Sequence, residues 1–304
     1  MHDATSQCCS PGSPVGGTAN VGTLKKGSFR ASIFYRHNFA DTYYQEDKKA
    51  EVQGTEANFN YIGQTLAFGI TPRLTIETDL GYFINKTRTS DIIATEKAWG
   101  FSNGLASLKY SFWKDPLREW ELTAGAGLRF PINRHLKLSP AGYPLSMDVQ
   151  PSTGATGFVG HLFLYKGFLP QGWRLFLLNR FEVYGRNDIA YQYGKANYTS
   201  FFVSRQLNLH WAAILQVRNE WRDYDYWDGI LLANTGGDVV FISPQINYSL
   251  AQKWNISFLV EMPVVRNYHL AQLGSKYSFA LNLMYDFDLG HPVDAGKQPV
   301  SALK

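Results

Sequence analysis

From Trp211 to Arg222 the residues alternate without a break. Trp211, Ala213, Leu215, Val217, Asn219 and Trp221 fall on one side, and Ala212, Ile214, Gln216, Arg218, Glu220 and Arg222 on the other. Period-two alternation of this length specifies a strand. One side of this strand suits hydrocarbon and the other suits water. The same device, a short polar turn followed by an aromatic or leucine and an alternating run, begins at Leu74, Trp120, Trp173, Trp211 and Trp254. Trp211 and Trp221 share a face, so at roughly 3.3 Å per residue and a tilt near 45° they stand about 23 Å apart in height. The apolar band of a membrane barrel is about 25 Å tall and is edged by aromatic girdles. The pattern predicts an all-β, transmembrane, antiparallel up-and-down barrel, with Trp120, Trp173, Trp211, Trp221 and Trp254 at the girdles.

Hydropathy alone conceals this. Its mean is −0.23, and no window reaches the 18 or so apolar residues of a membrane helix. A membrane barrel passes that test unseen because half of each strand is polar. A soluble sandwich or lipocalin-like barrel also alternates, but its strands average about five or six residues and carry no tryptophan girdle. Aromatics are 15% of the chain and charged residues only 18%, against a globular norm of about 25%. The formal charge of +4 is spread along the strands, which excludes a nucleic-acid footprint. No apolar stretch follows Met1, so the chain is expected to be the mature form of an exported protein.

Reading outward from the turns gives twelve strands, near 27–38, 58–70, 74–85, 99–112, 119–131, 156–168, 173–186, 196–206, 210–224, 238–250, 254–265 and 276–289. Short connections, such as Thr71-Pro72-Arg73, Leu169-Pro170-Gln171-Gly172 and Ala251-Gln252-Lys253, alternate with long ones at 39–57, 86–98, 132–155, 187–195, 225–237 and 266–275. That asymmetry is the one found between periplasmic turns and extracellular loops. An even strand count then puts both termini in the periplasm. Residues 1–26, rich in Gly, Ser and Pro, are expected to be a flexible periplasmic arm that partly enters the lumen. Residues 27–289 form the barrel, and 290–304 a periplasmic tail.

The same parity sends charges of both signs inward. The lumen-lining candidates are Arg30, Arg36, Glu77, Arg129, Arg180, Glu182, Arg186, Arg218, Glu220, Arg222 and Glu261. Two readings stay open. Facing Arg–Glu pairs fill and narrow the interior, or the arginine ladder Arg180, Arg186, Arg218 and Arg222 lines a watery path whose field favours anions.

Candidates for chemistry are few. Cys8 and Cys9 are adjacent, with no CxxC or histidine spacing that makes a metal site, and no cofactor is expected. The seven histidines are dispersed. His37 and Asn38 lie near a rim where a lipid hydrolase would keep its base, but no serine stands at a suitable offset. His161 has Phe163 where a nucleophile would be. Gly125-Ala126-Gly127 sits inside a strand and is no phosphate loop. The sequence reads as non-enzymatic.

The ending Glu261 to Phe287 carries a Glu-x-Pro step (Glu261, Pro263), a Gln-Leu-Gly triplet (Gln272, Leu273, Gly274) and a Tyr-x-Phe (Tyr277, Phe279). With the strand plan, it resembles Bacteroidota outer-membrane barrels labelled "transporter". These are distantly similar to the family named for the MetA pathway of phenol degradation, within the aromatic-hydrocarbon and fatty-acid porin assemblage. The resemblance implies a bacterial outer-membrane location and a transport role. It does not carry over the fourteen strands or the N-terminal hatch of the fatty-acid channels. The expected function is passive passage of a small solute. The alternatives are an accessory barrel of a larger outer-membrane complex with a filled lumen and, last, a lipid hydrolase. Expected partners are outer-membrane lipid, a small solute and other outer-membrane proteins.

Overall fold

The computed structural model describes residues 22–50, 55–90, 95–168, 171–250 and 253–288. Twelve long strands follow one another: β1 (Ser28–Ala40), β2 (Thr55–Thr71), β3 (Leu74–Ser90), β4 (Asn103–Asp115), β5 (Trp120–Pro131), β6 (Gly157–Phe168), β7 (Trp173–Tyr184), β8 (Ala196–Gln206), β9 (Trp211–Arg222), β10 (Gly237–Leu250), β11 (Trp254–Gly274) and β12 (Tyr277–Asp288). Each pairs antiparallel with the next, and β12 closes on β1 from Phe39↔Tyr277 to Ser28↔Asp288. Closure gives every ladder group a neighbour, the condition for a sheet to cross lipid. Among the described residues no helix is long and apolar enough to cross a membrane.

The parity of β9 holds in three dimensions. Leu215, Val217 and Trp221 are 43%, 40% and 39% exposed on the outside, while Arg218 is 1% exposed within. The same division runs through β12, where Leu281 and Leu283 face out and Ala280, Asn282 and Met284 face in. Inside, aromatics occupy part of the space. Phe59, Tyr61 and Phe83 form one buried cluster, and a Cβ at Gly81 would collide with the Tyr61 hydroxyl. That inward position of β3 therefore carries no side chain.

Three departures from the expected spans share one cause, an extra residue in a strand. Ile84 in β3, Phe112 in β4 and Val264 in β11 are skipped in the pairing. Phe112 and Trp113 both face out, as do Val264 and Val265, so strict alternation ends there although the strand continues. β3 thus runs on to Ser90, where the sequence suggests a loop from 86. β11 runs on to Gly274, where it suggests a loop from 266. The end of β11 pairs with Thr42–Glu46, which in turn pairs with Lys48–Lys49. Residues 42–49 and 266–274, expected as loops, therefore form one small extension of the wall. Glu96–Phe101 similarly continues the line of β4 beside upper β3.

The described part of the expected arm is held in place. Gly22, Thr23 and Leu24 are buried. The Thr23 amide donates to Glu121 Oε1 at 2.7 Å and the Leu24 amide to Thr75 Oγ1 at 2.8 Å. Both acceptors face inward, so this segment lies inside the short-turn mouth. Residues 1–21, with Cys8 and Cys9, and the tail 290–304 lie outside the described residues.

Candidate functional site

Inward positions of β1, β11, β9, β8, β7 and β5 build one continuous belt of charge. Glu261 is its hub: Oε1 meets Arg36 Nη2 at 2.6 Å and Oε2 meets Arg218 Nη2 at 2.9 Å. Ser278 donates to Glu261 Oε1 at 3.2 Å and Ser243 to Oε2 at 3.4 Å. Arg218 Nη1 reaches Glu220 Oε2 at 2.6 Å, and Glu220 Oε1 meets Arg222 Nε at 2.7 Å. Arg222 Nη2 then donates to the Tyr198 hydroxyl at 2.6 Å. The Tyr198 ring lies 5.1 Å beneath the Arg180 guanidinium. Glu182 Oε1 takes both Arg180 Nε and Arg129 Nη2 at 2.9 Å, and its Oε2 accepts from the Tyr184 hydroxyl at 2.6 Å.

Local sequence explains why the belt forms. Spacing of two places Arg218, Glu220 and Arg222 on one face of β9, and Arg180 and Glu182 on one face of β7. Register then sets Tyr198 opposite both Arg180 and Glu220. Arg36, Arg129, Arg180, Arg218 and Glu261 are at most 7% exposed, and Glu182 is 1%. Charges so deep require partners, and each guanidinium has a carboxylate. Five arginines against three glutamates leave two positive charges in excess in the belt.

The other candidates stand apart. Arg30 forms a two-pronged pair with Asp286, at 2.5 and 2.8 Å, near the short-turn end. Glu77 pairs with Lys109 at 2.7 Å. Arg186 does not join the ladder with Arg180: β7 ends at Tyr184, and Arg186 is exposed in the loop, bridging to Gln192. Trp120, Trp173, Trp211 and Trp254 are 38–42% exposed at the short-turn starts of their strands, and Trp221 stands at the other end of β9. His37 faces outward, bonds Asn60 at 2.9 Å and packs on Tyr277 and Phe279.

Sequence reasoning missed the long-loop mouth. Lys86 and Arg88 face inward above the Ile84 bulge, where they meet the loop between β5 and β6. Lys86 Nζ donates to the Gln150 carbonyl at 3.0 Å, and Arg88 lies 3.6 Å from Asp148. The loop buries Leu145 and Val149 against Ala98 and is tied to the β7–β8 loop by Tyr193 Oη→Met147 O and Asn187 Nδ2→Thr153 O, both at 3.2 Å. Burial pushes the Asp148 carboxyl up from its ordinary value, against the pull of Arg88 and Lys86. Alternation resumed after an extra residue at Ile84 assigns Lys86 and Arg88 to the inward face. No comparable signal marks the loop.

No protein-family model and no curated protein matches the sequence. Among solved structures, the COG4313 outer membrane channel from Pseudomonas putida F1 is similar, with a TM-score of 0.74 at 13% identity over 90% of this chain and 100% of that one. The β domain of the Bordetella autotransporter BrkA is similar with a TM-score of 0.51 at 14% identity, over 84% of this chain and 99% of that one. The fold is that of outer-membrane β-barrels.

Proposed function

We propose that the chain is an outer-membrane barrel for passive passage of a small solute. The observation that carries this reading is the charged belt in a wall that is apolar outside. Lipid facing would be served by an apolar interior as well, whereas a belt of five arginines is suited to a watery path. Its excess positive charge favours anions through the field along the path. The fold shared with an outer membrane channel supports the same reading, as does the resemblance of the last strands to Bacteroidota "transporter" barrels. In this reading the short turns and both termini face the periplasm and the long loops face outward. Reconstituted protein in planar bilayers is expected to give discrete current steps, with a reversal potential on the anion side in a salt gradient. Silent bilayers overturn the proposal.

One set of observations favours the second reading, an accessory barrel with a filled lumen. The belt arginines are all paired, Thr23 and Leu24 occupy one mouth, and the β5–β6 loop folds over the other. Silent bilayers together with a stable co-purifying partner select it.

A further inference from the structure

Two cations on the outer wall have aromatic rings as neighbours and no carboxylate. Near the short-turn rim, Lys166 Nζ lies 5.1 Å from the centre of the Trp120 ring and 5.2 Å from that of Phe168. Arg205 Cζ lies 5.0 Å from the Trp173 ring, its direct partner in the β7–β8 register. Neither cation joins an ion pair among the described residues. The acid of the adjoining turn, Glu119, takes the inward-facing Tyr165 hydroxyl at 3.3 Å.

Beside Arg205 the wall is hollow. Register places Arg205, Ala213 and Ile246 in one row. Ala213 is the small member of an outward set that has Trp211 before it and Leu215 after it. The dip is an open groove of about 730 Å³, with Trp173, Val203, Leu215, Phe258 and Val260 among its sides. On the far side of Trp173 a second groove of about 320 Å³ runs along Phe168 and Leu175. Two hydrocarbon grooves thus flank one tryptophan, with an exposed guanidinium at the rim.

We propose that this is a binding site for one anionic diacyl phospholipid, its phosphate on Arg205 and its two chains in the grooves either side of Trp173. The match is one of charge and form. A guanidinium lacking a carboxylate recognises phosphate oxygens, and it stands at the girdle level where headgroups lie. Paired grooves suit paired chains. Phospholipid is chosen over other phosphate-bearing lipids because the proposed orientation puts this rim in the periplasmic leaflet. The site rests on the membrane reading and not on an open lumen, so silent bilayers leave it untouched.

The test is native mass spectrometry of the full chain released from detergent with equal amounts of phosphatidylglycerol and phosphatidylcholine bearing the same chains. The wild type retains one phosphatidylglycerol in preference. Arg205→Gln lowers that retention about fivefold, the weight of one cation near a membrane surface, and removes the preference. Ala213→Phe fills the groove and lowers retention of both lipids. Arg73→Gln, a cation of the β2–β3 turn, retains the wild-type pattern. Heat-modifiable gel migration confirms that each variant is folded. Equal retention of the two lipids by the wild type, wild-type retention in both site variants, or an equal loss in Arg73→Gln overturns the proposal.

Discussion

In the belt, Glu261 is held between two guanidinium groups that are themselves buried, on strands fixed by long ladders. At the long-loop mouth, Asp225 accepts instead from the Tyr191 hydroxyl at 2.5 Å and from the Gly194 amide at 2.7 Å, both in short loop segments. Burial, with the Asp225 carboxylate close by, pushes the Tyr191 hydroxyl well above its ordinary value and keeps it a donor. One region balances charge with charge at ion-pair distance, and the other sets one carboxylate on hydroxyl and amide donors, with Arg222 acting on it through space. Loss of Glu261 in the first takes a buried carboxylate from both Arg36 and Arg218, of which Arg218 keeps Glu220. Loss in the second leaves neutral groups that can turn to water.

The largest expected effect follows from that contrast. Glu261→Gln leaves Arg36 and Arg218 short of a buried partner and is expected to cost about 3–5 kcal/mol, read from urea unfolding in lipid or detergent. Asp225→Asn is expected to cost about 1–3 kcal/mol and to leave the barrel ladders protected in amide exchange. Equal costs would break the comparison. A second effect is on passage. Removing residues 1–24 takes away the Thr23 contacts with Glu121 and with Lys114, whose Nζ donates to the Thr23 carbonyl at 3.2 Å. Unit conductance then rises, and an unchanged conductance would place the narrowest point elsewhere.

The smallest effect belongs to the rim pair Lys276–Asp41, at 2.6 Å. Burial alone would raise the Asp41 carboxyl, but its bonds to Lys276 and Thr42 outweigh that and hold it below its ordinary 3.8. Any stability it lends is present above about pH 4 and lost as pH falls through the lowered value. Lys276 is exposed, and such pairs contribute little. Lys276→Ala is expected to leave the unfolding midpoint at neutral pH unchanged within error. A clear fall would show the rim to be more constrained than the exposure of Lys276 implies.

The wall was legible because period two is a direct consequence of strand geometry. Wherever a strand runs without interruption, as from Trp211 to Arg222, each residue's side follows from its number. The reading stopped at Ile84 and Val264 because one added residue inverts parity, and Lys86 and Arg88 were lost with it. Arg186 differs for another reason: parity places it inward only if the strand continues, and the strand ends at Tyr184. The loops that fold over the mouth carry no such signal. Gln150 bonds the Leu145 carbonyl inside its own loop, while Asn187 and Asp225 bond backbone groups of neighbouring loops, and no local periodicity records such contacts.

The most direct measurement is single-channel recording with a thiol-specific anionic reagent on two single-cysteine variants, made in a background with Cys8 and Cys9 replaced by serine. Arg222→Cys lies on the inward face of β9 and Val217→Cys on its outward face. Discrete current steps are expected, reduced by the reagent in Arg222→Cys and unaltered in Val217→Cys. Absence of current, or equal reduction in the two variants, would contradict the channel reading.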